Sequence, residues 1–358
     1  MAPTSPPETH KPLRGALLGC GHVAPFHMRA WTQIDGFEIV ALANRTRSKA
    51  LDLADAFAIP SAHVYSDYEE MLERERLDFV DIATAPHLHR VQVEAAAARG
   101  VNVLCQKPFA PTLDDATAMI AACERAGVLF SINDNWRWRS WYREIKQLLG
   151  QGAIGKARYV RISKHSNRSL PLVEGELPSM FADQPYMLEL DRLIVYEWGI
   201  HLIDVLRFLF GEIKSVYARM DRTSPICKGE DRALITLDAG GVTSLIDISW
   251  ASITAEKSSC TLESLTIEGD EGTIELFNGE QYTLRVSDRV SSSQHPAHLS
   301  TPEEAYQASY TAAQRHFAEC LRQGTLPETV AQDNIRTLAA TFAAYDSAAN
   351  NRVTVPRY

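Results

Sequence analysis

The chain has 358 residues, 45% of them hydrophobic and 23% charged, and a formal net charge of −9. That length exceeds one ordinary hydrophobic core and suits two domains. The acidic balance, without any block of basic residues, excludes the footprint of a nucleic-acid binder, and the absence of a run of about 18 apolar residues excludes a helical membrane span.

Six cysteines, at 20, 105, 123, 227, 260 and 320, show no C-x-x-C spacing. They are expected to be reduced thiols in a cytoplasmic protein, not disulfides or a zinc site. Residues 1–12, rich in Pro and Thr and lacking an apolar stretch, are expected to form a disordered leader and not a signal peptide.

Leu13–Leu18 reads as a buried strand that stops on Gly19; Gly19, Gly21 and Ala24 form a G-x-G-x-x-A pattern opening a helix over about 25–33. Gly19 makes the tight turn, Gly21 admits the pyrophosphate, and Ala24 permits close packing of helix on strand. The loop Gly19, Cys20, Gly21, His22 and Val23 is therefore expected to hold a dinucleotide at a helix N-terminus. Strand Phe37–Ala43 follows and ends on Asn44-Arg45-Thr46-Arg47. An acid usually binds the adenosine ribose here, so its absence tilts the cofactor towards NADP, although Asn44 can still bond a bare ribose and Arg45 lies beside it. The alternative is a solvated helix start capped by Thr46.

A helix over about 67–75, a strand over 77–83, a helix over 90–99, a strand over 101–104, a helix from about Thr112 to Gly127 and a strand over 128–132 complete an alternating pattern. This predicts a parallel sheet with helices on both faces, whose ligands lie beyond the carboxyl ends of its strands. His87, Lys107 and Asn135 fall at those ends. From about Trp141 the rhythm changes. A helix, the strand Ala157–Lys164, a polar loop and a helix over 193–210 precede six short strands (216–220, 233–238, 243–250, 260–268, 272–276 and 282–286). These predict an antiparallel meander, a loose segment over 291–298 and two closing helices, 302–322 and 333–349. The expected domains are a dinucleotide-binding unit over 13–135, a substrate and assembly unit over 136–300, and C-terminal helices over 301–358 packing back on the core.

Lys107 can orient a substrate hydroxyl and shuttle its proton, or be an ordinary surface lysine. Glu197, His201 and Asp204 are four and three apart on a helix and share one face, so Asp204 is expected to fix the imidazole tautomer while Glu197 and His201 meet substrate. A metal site or a plain helix surface would give the same spacing, but no ligand near in sequence completes a metal shell. Trp136, Arg137, Trp138 and Arg139, with Lys164, His165 and Arg168, offer aromatic faces and positive charge suited to a sugar ring with an anionic group; solvated loop ends are the bland alternative.

These residues resemble the glucose–fructose oxidoreductase/inositol dehydrogenase family, Gfo/Idh/MocA. The likeness rests on Gly19-Cys-Gly-His-Val-Ala24, Ala83-Thr-Ala-Pro86-His87-Leu-His89, Gln106-Lys107-Pro108, Glu197 through Asp204, and His316-Phe with Gly324-Thr-Leu-Pro-Glu. It implies a Rossmann domain, a C-terminal domain with an open, largely antiparallel sheet, NAD or NADP, and a dimer or tetramer built through outer sheet faces. By position, Lys107 matches the lysine of Glu-Lys-Pro, and His201 and Asp204 match the family's His-x-x-Asp. Pro86, His87, His89 and Gln106 would lie near the cofactor; Asn135, Trp136, Arg137, Trp138, Lys164, His165 and Arg168 would hold the sugar.

Two departures stand out. Gln106 replaces the usual Glu, which is expected to deprive Lys107 of a neighbouring negative charge and lower its pKa. Glu197 replaces an Asp common in sugar dehydrogenases.

The resemblance implies a sugar or polyol oxidoreductase. A redox-neutral, NAD-dependent glycosidase acting through transient C3 oxidation on an anionic glycoside is the rival. A silent NAD(P)-binding regulator is a third reading.

Overall fold

In the computed structural model, the described residues are 11–171, 176–252, 263–277, 281–286, 289–294 and 301–358. The expected leader lies outside them apart from Lys11 and Pro12, as do Cys260 and residues 295–300.

The first half forms a six-stranded parallel sheet in the order β3-β2-β1-β4-β5-β6. Its strands are β1 (Leu13–Leu18), β2 (Phe37–Ala43), β3 (Val64–Tyr65), β4 (Phe79–Ile82), β5 (Asn102–Gln106) and β6 (Phe130–Asn133). The crossovers are α1 (Ala24–Trp31), α2 (Arg47–Ala56), α3 (Tyr68–Arg74), α4 (Pro86–Ala97) and α5 (Leu113–Ala126). Ala16, Leu17, Leu18, Phe79, Val80 and Ile82 are buried, as apolar strands covered on both faces must be. The two-residue β3 was not expected; it is too short to show a period. Helix α4 starts four residues earlier than its alanine-rich run suggests, because Pro86 occupies the first turn, where a missing N–H costs nothing.

After α6 (Ser140–Gly150), the second sheet is mixed, ordered β14-β13-β12-β11-β7-β10-β9-β8. Its strands are β7 (Ala157–His165), β8 (Ile213–Asp221), β9 (Arg232–Ala239), β10 (Val242–Ser249), β11 (Ser264–Gly269), β12 (Gly272–Phe277), β13 (Gln281–Val286) and β14 (Arg289–Gln294). The expected single meander is corrected: β7 lies between two meanders, antiparallel to β11 and parallel to β10. Residues 291–294, expected to be loose, belong to β14. Short α7 (Ser179–Asp183) and a 3₁₀ turn at Pro185–Glu189 occupy the expected polar loop. α8 (Ile200–Phe210) is preceded by a π-helical turn, Val195–Gly199.

Two long helices close the chain, α9 (Pro302–Gln323) and α10 (Ala331–Asn350). Phe317 and Ala318 of α9 enter the core around α1, whereas α10 contributes Leu338 to the first sheet's core and Ala340 and Ala344 to the second's. Between them, the Ile132 N–H donates to the Thr329 carbonyl, beside β6 (2.9 Å).

Candidate active site

The glycine turn is built by contact on one side and open space on the other. Gly19 has φ +94°, and a Cβ there would meet the Ala83 carbonyl oxygen at 2.7 Å; a Cβ on Gly21 would meet nothing within 4 Å. α1 has no side-chain N-cap and no acidic residue in its first turn, so its N-terminal dipole is left for an anion. A dinucleotide pyrophosphate fits this cradle.

Around the cradle, residues take different parts. The Cys20 N–H donates to Asn44 Oδ1 (3.1 Å), and Asn44 Nδ2 donates to the Thr46 carbonyl (2.8 Å). Asn44 therefore braces the turn, and the expected Thr46 side-chain cap is absent. Arg45 is exposed beside it, and Val23 is the N-cap of α1. Pro86 and His87 lie in the first turn of α4, half-buried and exposed respectively. His22 reaches away across the cleft to Asp183 of α7 (3.3 Å).

His89 departs from the expected cofactor contact. It is fully buried, its ring facing the Thr84 carbonyl (2.9 Å) and the Phe109 carbonyl (3.2 Å). Burial pushes its pKa down to about 4 against the pull of both carbonyls, and the ring ties α4 to the segment packed on Gly19.

At the end of β5, Lys107 Nζ donates to Glu197 Oε2 (3.0 Å) and to the Glu197 carbonyl (2.9 Å). The expectation that Gln106 deprives Lys107 of a negative neighbour is corrected: the Gln106 side chain points into the core towards His27, and Glu197 supplies the carboxylate. The π turn makes this reach possible. It adds a residue between Glu197 and the α8 register, and Gly199 permits it, since a Cβ there would already meet Val195 at 3.0 Å.

His201 is buried and stacks on Trp136, with centroids 4.4 Å apart and planes within 3°. Its Nδ1 lies 2.5 Å from Asp134 Oδ1. The expectation that Asp204 orients this ring is corrected: Asp134, at the end of β6, does so. Asp204 instead accepts from Arg137 Nε (2.7 Å) and Nη2 (2.5 Å) and from Thr337 of α10 (3.1 Å). Burial pushes the His201 pKa well below its ordinary value, helped by the Lys107 and Arg139 charges. The same burial lifts the Asp134 carboxyl to about 7 against the pull of Arg137 and Lys107. The ring is neutral, and with Asp134 ionised its Nδ1–H is held by that carboxylate, which leaves Nε2 as a proton acceptor. The influence of Lys107 on both groups brings ammonium, imidazole and carboxylate into one electrostatic unit.

The expected sugar-binding cluster divides. Arg137 is consumed by Asp204. Trp138 turns to α9 and lies against His316, centroids 4.6 Å apart. Lys164 and His165 point to opposite faces of β7, as consecutive strand residues do. Lys164 is buried over Trp198 (4.6 Å) and 3.7 Å from Glu263; His165 is on the outer face, 3.0 Å from Asp247. Arg168 lies over the Trp198 ring (5.0 Å). Asn135 Nδ2 donates to Ser309 of α9 (2.7 Å).

Asp134, Ser309 and Glu263 were not singled out from the sequence. Only Asp134 carried a readable signal, its place one residue beyond the last parallel strand. Glu263 is completely buried, and although burial raises its pKa, Arg139 and Lys164 outweigh that and hold it at about 2. Among the described residues, no group of three or more His, Cys, Asp or Glu side chains is placed to hold a metal.

Several polar atoms at the carboxyl end of β6 and on Glu197 are buried without hydrogen-bond partners: both amide atoms of Asn133, Asp134 Oδ2, Asn135 Oδ1 and Glu197 Oε1. Each such orphan costs about 1–3 kcal/mol unless a ligand or water satisfies it.

A Rossmann sheet with an open glycine cradle, a lysine and a neutral histidine beside it, and a second mostly antiparallel sheet define a two-domain NAD-dependent oxidoreductase. Residues 13–134 match the oxidoreductase family with an NAD-binding Rossmann fold, and residues 142–275 match the GFO/IDH/MocA C-terminal domain; the chain belongs to the Gfo/Idh/MocA family.

It is 42% identical to a D-apiose dehydrogenase of Paraburkholderia graminis, over 96% of this chain and 90% of that protein. A D-apiose dehydrogenase of Rhizobium rhizogenes is 37% identical over 95% and 96%. Among solved structures, an oxidoreductase from Agrobacterium radiobacter in complex with NAD+, L-tartaric acid and magnesium superposes with a TM-score of 0.88 at 36% identity, covering 96% of this chain and 98% of the other.

Proposed function

We propose that this protein oxidises a CH–OH group of a neutral sugar, apiose or a close relative, with NAD+. The observation that carries this reading is the set of orphaned buried polar atoms on Glu197, which holds Lys107, on Asp134, which faces His201, and on its chain neighbours Asn133 and Asn135. Sugar hydroxyls both donate and accept, and so satisfy amides and carboxylates together. Bound nicotinamide would supply the hydride acceptor. Gly19, Gly21 and the α1 N-terminus would hold its pyrophosphate, with Pro86 and His87 nearby.

His201 Nε2 accepts the hydroxyl proton, because Asp134 holds the other ring nitrogen as donor. Lys107, fixed by Glu197, directs its ammonium at the oxygen on which negative charge grows. Asp204 takes no part in the proton transfer. Positive charge that would suit an anionic substrate is answered internally: Arg137 by Asp204, Arg139 and Lys164 by Glu263, His165 by Asp247. That weighs for a neutral sugar.

An NAD+ complex in the Agrobacterium relative supports NAD over NADP. The outer face of the second sheet exposes Leu234 and Phe277, which supports its use in self-association.

The test is an absorbance assay of nicotinamide reduction with D-apiose, a uronic acid, and chromogenic glycosides, each with NAD+ and NADP+. One NADH per apiose consumed, with weaker turnover of the acid and of NADP+, is expected. Aglycone release without net nicotinamide reduction would overturn the reading in favour of a redox-neutral glycosidase.

A further inference from the structure

Behind the catalytic lysine runs a buried polar chain that the proposed proton transfer does not use. Asp81 of β4 accepts from His27 Nδ1 (2.7 Å) and Trp31 Nε1 (2.7 Å), both on α1. His27 Nε2 faces Gln106 Nε2 of β5 (3.0 Å), which also approaches the Tyr310 hydroxyl of α9 (3.4 Å). Gln106 Oε1 lies 2.7 Å from the Lys107 backbone N–H. His27, Asp81 and Gln106 are all buried.

The hydrogen positions in this chain follow from one fixed donor. A backbone N–H cannot accept, so the Gln106 group facing it must be the carbonyl oxygen, and the NH2 end must face His27. His27 Nε2 must then accept, which leaves its single proton on Nδ1, where the Asp81 carboxylate receives it. Each link thus dictates the next, from the cofactor-binding helix to the main chain of Lys107.

We propose that His27 is a positioning residue for Lys107: as an Nε2 acceptor it locks the Gln106 amide so that Gln106 Oε1 grips the lysine's backbone N–H. A side chain that cannot accept at this point frees the amide to rotate. Rotation would set the Gln106 NH2 group against the Lys107 N–H, two donors face to face, and loosen the loop that aims Lys107 at substrate. The role of glutamine at 106 follows from the same logic. Glutamate would also accept from Lys107, but it has no proton to offer His27, and would require His27 to carry a proton on both nitrogens between two carboxylates.

This inference rests on the assignment of Lys107 to catalysis, and its test has one arm that needs no substrate. In histidine labelled with nitrogen-15, the resonances lost in His27→Gln identify His27 among the 11 histidines. The expected wild-type spectrum shows a proton on Nδ1 and none on Nε2, and Gln106→Glu is expected to place a proton on Nε2. A protonated Nε2 in the wild-type protein overturns the proposal whatever the substrate proves to be.

In the kinetic arm, His27→Leu is expected to lower kcat about ten-fold or more with little change in KM for NAD+, whereas His27→Gln, whose amide oxygen can accept in place of Nε2, recovers most of the loss. A rise in KM for NAD+ at unchanged kcat, or no difference between the Leu and Gln variants, would mean that His27 only shapes α1. Should His27→Leu not fold, His27→Gln and His27→Asn carry the comparison, since the asparagine amide is too short to reach Gln106 and is expected to lose kcat as the leucine would.

Discussion

At the scale of single residues, the proposed proton transfer depends on which carboxylate holds His201. Burial lifts the Asp134 carboxyl to about 7 and depresses the pKa of the ring it faces. As pH rises through that value, Asp134 ionises and makes His201 Nε2 a better proton acceptor, so the oxidation rate is expected to climb across an apparent pKa of about 7. Asp134→Asn is expected to remove that rising limb, which a pH profile of kcat would show.

The glycines give a second contrast. Gly21→Ala meets no protein atom, so its melting temperature should stay near wild type while NADH binding weakens about ten-fold or more, because the methyl occupies pyrophosphate space. Gly19→Ala should instead destabilise the fold, because its backbone lies at φ +94° against the Ala83 carbonyl. The sequence showed these glycines directly, since spacing alone carries that signal. It could not show that Asp134 replaces Asp204 beside His201, because that choice depends on how β6 and α8 approach each other in space.

At the scale of elements, the sequence period failed where the backbone departs from regularity. Three-and-four spacing puts Glu197, His201 and Asp204 on one face only if every turn is α-helical; the π turn at Val195–Gly199 breaks that register between Glu197 and His201, whereas His201 and Asp204 keep it within α8. Glu197 consequently reaches Lys107, while Asp204 faces Arg137, Thr337 and Asn334. This buried ion pair joins the 3₁₀ turn at Trp136–Trp138 to α8 and α10. Removing one partner strands a buried charge, so Arg137→Leu is expected to cost about 3–5 kcal/mol. Denaturant melts measure the loss, and NADH binding by the folded fraction is expected to persist. Similarly, alternation along Ala157–Lys164 located β7 correctly, but nothing in a strand's own sequence says which neighbour runs parallel to it.

At the scale of the whole molecule, two sheets were legible because strands alternating with helices, then short strands with turn residues, are patterns local to the chain. The joining of the two halves was less so. α10 puts Leu338 in the core of the first sheet and Ala340 and Ala344 in that of the second, while α9 covers α1. Residues 11–134 expressed alone should therefore expose the apolar surface those helices cover and bind a hydrophobic dye; a monodisperse domain with a cooperative melt would contradict this. On the opposite side, Phe277→Glu with Leu234→Glu is expected to lower the mass measured by sedimentation if the outer sheet face joins copies of the chain, and to leave it unchanged otherwise.

One experiment bears most directly on a lysine and a histidine converging on one sugar hydroxyl: single-turnover NADH formation from D-apiose by Lys107→Met at saturating NAD+, alongside NADH binding to the same variant. Loss of about 10²-fold or more in the hydride-transfer rate with binding intact is expected for a group that orients the hydroxyl and steadies its developing charge. Formation of NADH at close to the wild-type rate would contradict that role.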